Sequence, residues 1–203
     1  MITVIDYKMI NLGSILNMLK KVGCRDVVIA TTPEEVQRAK KIIMPGVGSF
    51  DHAMKNLQSM NLVDSLRSKA LEEKVPFLGV CLGMQLMTES SEEGKLQGLG
   101  FIKAGCRRFQ FEKGSPLKSP HMGWNKTITR KKSDLLNEDE HRFYFVHSYY
   151  VSCDNPADVL LTTHHGREFV SGFQKENLMG VQFHPEKSHS NGIELFRNFL
   201  EKF

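Results

Sequence analysis

Several things are scarce in this 203-residue sequence, and each shortage excludes something. No apolar stretch approaches the roughly 20 residues of a membrane-spanning helix, so no span is expected. The four cysteines, at 24, 81, 106 and 153, include no CxxC pair, which argues against a zinc ribbon or a disulfide framework. His164-His165 has no cysteine or carboxylate at ligand spacing beside it, so neither a metal site nor a cofactor is expected. Net charge is only +4. The densest basic run, Arg130-Lys131-Lys132, has no interleaved aromatics and reads as a solvated loop rather than a nucleic-acid surface. There is one tryptophan, Trp124, and no internal repeat, low-complexity tract or linker. The amino-terminal Met-Ile-Thr-Val-Ile-Asp reads as a strand rather than a signal peptide. These shortages lead us to expect one cytoplasmic domain over 1–203 with reduced thiols and no membrane contact.

What is present in the first half is alternation. Ile2–Ile5, Val27–Ala30, 41–44 and a run from Phe77 read as strands, apolar on both faces. Between them Ile15, Leu16, Met18, Leu19 and Val22 recur at helical spacing, and Gly23 stops that helix. Thr32-Pro33-Glu34-Glu35 is a helix start with a capping box, and two amphipathic helices cover 50–57 and 61–73. The alternation predicts an α/β fold: a parallel sheet with helices on both faces and ligands at the carboxyl ends of its strands. Asn11, Gly46 to Gly48 and Cys81 all follow strand ends, so they should share one edge. After Glu93-Gly94 the texture changes to short β segments near 100–111, 126–129, 143–151, 158–164, 168–174 and 178–183, read as antiparallel additions. A last helix is expected over 192–203.

Three stretches carry chemistry. Phe77-Leu-Gly-Val-Cys-Leu-Gly83 has the Gly-x-nucleophile-x-Gly spacing of a strand-to-helix elbow, with Cys81 as nucleophile. Glycines at 79 and 83 let the backbone close and a substrate approach. The helix that begins there favours the thiolate. In Gly180-Val-Gln-Phe-His-Pro-Glu186 a strand ends in His184, and Glu186, two residues on in extended chain, would orient it as the third member of a triad. Ile42-Ile-Met-Pro-Gly-Val-Gly48 runs from a strand into a glycine loop whose N–H groups can face an oxyanion. The N–H of Leu82, the residue after the nucleophile, is the first donor expected; the second falls to Val47 or Gly48.

LGVCLGMQL, MPGVGSF and GVQFHPEKS resemble the class I (triad) glutamine amidotransferases. Asp6-Tyr7 through Asn11, His121-Met-Gly-Trp-Asn125 and Phe143-Tyr-Phe-Val-His-Ser-Tyr149 narrow the resemblance to the HisH-type glutaminase subunit of imidazole glycerol phosphate synthase. It implies a flavodoxin-like amidotransferase fold and hydrolysis of L-glutamine to glutamate and ammonia through a Cys81 thioester. Gln85, Glu93, Ser148 and Tyr149 match the substrate-binding positions, and Asn11, Trp124 and Lys187 the partner interface. Ammonia is a nucleophile only while unprotonated, so a dry route to a second active site is needed. The 203 residues hold no acceptor domain, and the resemblance implies a cyclase-type (βα)8-barrel partner, the two chains forming a heterodimer of the histidine pathway.

Two departures stand out. The family's first loop usually reads Asp-Tyr-Gly-x-Gly-Asn; here Lys8 and Ile10 replace the glycines, and the loop is expected not to copy a glycine-dependent conformation. His189-Ser-Asn-Gly192 is similar to paralogues that feed sugar amidotransferases of surface-polysaccharide synthesis, which stay open as an alternative, as does a stand-alone cysteine hydrolase of similar fold.

Overall fold

The computed structural model describes residues 1–136 and 139–203. Its strands are β1 (Ile2–Ile5), β2 (Val27–Ala30), β3 (Ile42–Gly46), β4 (Phe77–Cys81), β5 (Ser90–Ser91), β6 (Ala104–Arg108), β7 (His121–Thr129), β8 (Glu140–His147), β9 (Tyr149–Cys153), β10 (Val159–His164), β11 (Glu168–Lys175) and β12 (Leu178–Val181). Its helices are α1 (Leu12–Lys21), α2 (Pro33–Gln37), α3 (Phe50–Ser59), α4 (Leu62–Arg67), α5 (Leu82–Leu86) and α6 (His189–Lys202).

The parallel heart of the sheet runs β2-β1-β3-β4-β12, and β11, β10, β7 and β8 continue it in antiparallel sense. With β12 as fifth strand this is the flavodoxin-like order. β1, β3, β4 and β12 are buried along their whole length, as strands covered by helices on both faces must be. Successive side chains supply opposite faces. Ile42 and Met44 join Phe77 in one apolar cluster, while Ile43 joins Leu78 and Val80 in the other. The expected capping box closes α2: the Glu35 N–H donates to Thr32 Oγ1, and the Thr32 N–H donates to the Glu35 carboxylate. β9 leaves the main order to pair with β11 and with β6, which also carries β5.

Five expectations need correction. The helix foreseen over 61–73 is α4 followed by a π turn over Ser68–Glu72. The segment 143–151 is two strands, β8 and β9, broken at Ser148. β12 stops at Val181, where the chain bends over 182–183 instead of continuing the strand, and α6 begins at His189 rather than at 192, directly after a 3-10 turn over Pro185–Lys187. Finally, Lys8 does take a glycine-type conformation, with φ 66°, where its N–H donates to Asp6 Oδ1 at 2.8 Å. Ile10 is not among the positive-φ residues, so only one lost glycine is felt in the backbone. A side chain held in that region costs roughly 1–2 kcal/mol.

Candidate active site

Cys81 ends β4 with φ 53° and ψ −110°, a conformation that L-residues rarely hold. The strain sits on Cys81 itself. Neither flanking glycine has positive φ; they are there for space. A Cβ on Gly83 would lie 1.7 Å from the Met44 carbonyl oxygen, and one on Gly79 2.8 Å from the Gly83 carbonyl oxygen. The elbow therefore packs directly on the end of β3. α5 is only five residues long, so its dipole adds little at the sulfur.

His184 supplies the second part. It lies three residues beyond β12, buried to 2 % exposure. Its Nδ1 stands 2.7 Å from Glu186 Oε1, whose side chain is also almost fully buried. The contact runs across the 3-10 turn, with Pro185 at its first position, and not along extended chain as the i, i+2 reading assumed. Burial is the largest influence on His184 and disfavours its charge. The Cys81 thiolate and the Glu186 carboxylate outweigh it, so the imidazolium is held up to about 10. His184 Nε2 is buried without a hydrogen-bond partner among the described residues. A proton held on His184 beside a cysteine is placed to protonate an amine that leaves when the sulfur attacks.

One pocket of about 280 Å³ gathers Val47, Gly48, Cys81, Leu82, Gln85, Glu93, Ser148, Tyr149 and His184, with Pro120, Val146 and His147. That size suits one amino acid rather than a peptide. A family profile described as glutamine amidotransferase class-I matches residues 3–203. The chain belongs to the class I glutamine amidotransferases. Within them it is 51 % identical to the imidazole glycerol phosphate synthase subunit HisH 2 of Methanococcus maripaludis, covering all of both chains. It is 43 % identical to the Pseudomonas aeruginosa protein of that name over 99 % of each chain. A crystal structure of a glutamine amidotransferase shares its fold with a TM-score of 0.75 at 18 % identity, over 98 % of this chain and 97 % of the other.

Other expected site residues of this amidotransferase fall where their neighbours dictate. Gln85, buried on α5, donates from Nε2 to the Tyr149 carbonyl and to Gln182 Oε1, each at 3.0 Å. Glu93 is not a free loop acid: its Oε2 accepts from the Phe50 N–H at 2.9 Å at the start of α3. It remains a carboxylate facing the pocket, suited to an ammonium group. In the glycine loop, the Val47 N–H donates to the Met9 carbonyl at 2.8 Å, so in this structure it is turned away from the oxyanion position. Tyr7, fully buried, donates its hydroxyl to the Pro45 carbonyl at 2.7 Å and fixes the root of that loop. Leu82 and Gly48 line the pocket without that engagement of Val47.

The proposed interface residues stand outside the pocket. Asn11 is exposed and caps α1 through Ser14. Trp124, 42 % exposed, stacks on His189 at 5.3 Å and meets Tyr144 edge-on. Lys187 Nζ lies 5.9 Å above the Tyr144 ring. Among the described residues no helix is long and apolar enough to cross a membrane. Arg130 pairs with Glu168, and Lys131 Nζ is held by the Ala157 and Gln174 carbonyls.

Gln182 and His147 were not foreseen. Gln182 is fully buried and its Nε2 lies 3.7 Å from Cys81 Sγ. It lies in the same motif as His184 but beyond the end of β12, so strand periodicity did not mark it. His147 stood inside the Phe143–Tyr149 motif, where nothing in the sequence gave it a role of its own.

Proposed function

We propose that this chain is the glutaminase subunit of an imidazole glycerol phosphate synthase. It hydrolyses L-glutamine to glutamate and passes ammonia to a separate cyclase-type (βα)8-barrel subunit. The observation that carries this reading is the strained Cys81 facing a buried His184–Glu186 pair inside an amino-acid-sized pocket. The names of the relatives support the pathway and the existence of a partner subunit.

Cys81 attacks the glutamine carboxamide carbon. The proton held on His184 goes to the departing ammonia, leaving a thioester. Neutral His184 then takes a proton from water, whose oxygen attacks the thioester carbon, and glutamate leaves as the thiol is restored. Glu186 holds Nδ1 throughout and stabilises the imidazolium. The Leu82 N–H and a donor from the glycine loop receive the oxyanion. Glu93 faces the substrate's α-ammonium, and the Ser148–Tyr149 backbone its α-carboxylate. Four unpaired cysteines support a reducing, cytoplasmic setting.

Cys81→Ser tests the assignment. Glutamine-dependent synthesis by the two-chain complex should disappear, while synthesis from added ammonium salt should stay near the wild-type rate. Glutamine-dependent synthesis in the variant would remove Cys81 from the role of nucleophile.

A further inference from the structure

Three polar side chains beside the pocket take no part in the chemistry above. His147 closes β8 and His121 opens β7, and the register of the two strands sets them opposite each other. They are 6 % and 4 % exposed. His147 Nδ1 is 2.7 Å from the Tyr149 carbonyl, and its Nε2 is 3.0 Å from His121 Nδ1. His121 Nε2 is 3.0 Å from Asn125 Nδ2, which also donates to the His164 carbonyl at 2.9 Å.

The donors can be assigned by elimination. A carbonyl only accepts, so His147 carries its hydrogen on Nδ1. Burial among Phe109, Phe145 and Phe169 pushes His147 down to about 3, and burial likewise takes His121 to about 4. Both rings are neutral near pH 7 and hold one N–H each. His147 Nε2 therefore accepts from His121 Nδ1–H, and His121 Nε2 accepts from the Asn125 amide. Every tautomer is fixed by its neighbour, and the chain runs one way, from Asn125 to Tyr149.

At its end lies the pocket. The Tyr149 carbonyl takes a second donor from Gln85. The Phe109 N–H donates to the Ser148 carbonyl at 3.0 Å, so Ser148 faces β6 in a hydrogen-bonded pair. Alternation in an antiparallel ladder then turns the N–H and C=O of Tyr149, opposite Arg108, away from β6. The carbonyl goes to His147 and Gln85, and the N–H points to the same side, where Gln85, Ser148 and Tyr149 line the pocket.

We propose that His147, held by His121 and Asn125, is a positioning residue for glutamine. Its Nδ1–H fixes the Tyr149 peptide so that this backbone meets the substrate's α-carboxylate. The proposal rests on the glutaminase reading. It gives the histidine at the end of β8, after the buried His141, Phe143 and Phe145, a task beside the substrate segment.

Asparagine and glutamine at 147 separate position from polarity. Asn places its amide nitrogen where Nδ1 stood, and Gln places it where Nε2 stood. In the complex, His147→Asn should keep KM for glutamine within about threefold, whereas His147→Gln should raise it about tenfold with kcat little changed. Alkylation of Cys81 by iodoacetamide, which has no α-carboxylate, should proceed at the wild-type rate in both, and glutamine should protect only the Asn variant at wild-type concentrations. Equal KM values in the two variants, raised or not, would overturn the proposal. A wild-type complex that hydrolyses no glutamine would overturn the glutaminase reading, and this proposal with it.

Discussion

Cys81 shows how a single residue can hold strain that its surroundings impose. Its φ of 53° is enforced from both sides, because β4 is locked between β3 and β12 and α5 begins at once. His184 is set by a different device, a proline-started turn that brings a carboxylate to its Nδ1. Glu186→Gln keeps the shape and removes the charge. Turnover should fall by about 10⁴, the scale set by amide replacement of a triad acid. The same variant has a pH signature. A histidine raised above its ordinary value near 6.5 contributes stability that is full below that value and is lost as pH climbs toward about 10. Losing Glu186 removes part of the raising influence, so the His184 ring should titrate at lower pH by NMR, and the variant should melt earlier than wild type at pH 7. A titration midpoint and turnover both unchanged would demote Glu186 to packing.

The elements that carry this site were largely legible in the sequence, for a physical reason. β1, β3 and β4 are short apolar runs with turn residues behind them, and α1 and α3 are periodic, so hydrophobic pattern alone finds them. The second half was read only in outline. β7 has exposed and half-buried residues alternating through Met122, Gly123, Trp124 and Asn125, and its start at His121 depends on pairing with β8. A run such as Phe143 to Tyr149 cannot announce that it splits at Ser148, because the break is imposed by β9 turning to β6 and β11. Likewise Cys81, His184 and Glu186 were visible as motifs, while Gln182 and His147 needed tertiary neighbours to acquire meaning. The elbow glycines were legible, but their reason was not: crowding, rather than torsion angle, decides them. Gly83→Ala would press a methyl group into the backbone of Met44, atoms that cannot swing aside. We expect a loss on the order of 3 kcal/mol or more, seen as a lowered urea midpoint, together with loss of glutaminase activity. A variant with the wild-type midpoint would mean that α5 can shift away from β3.

At the scale of the whole molecule, the catalytic edge is built from loops that also face outward. The Asp6–Asn11 loop holds the Val47 N–H through Met9, Tyr7 holds Pro45, and Lys187 and Trp124 flank the His184 turn. In this arrangement one of the two candidate donors of the glycine loop is occupied. With Val47 as the second donor, its absence costs about 10²–10³ in rate, so the isolated chain should be a poor glutaminase. Turning the Val47 peptide would break one hydrogen bond to Met9, and Gly46 and Gly48 on either side make the rotation accessible. A gap of only a few kcal/mol keeps the idle form dominant, and a partner that binds the turned form better will reverse it. The arrangement has a chemical rationale: without an acceptor bound, an active glutaminase would only release ammonia into water. Glutamate release should therefore rise by about 10² or more when the synthase subunit and its ligand are added, with most of the gain in kcat. A rate that stays the same on adding them would show that Val47 does not gate this enzyme.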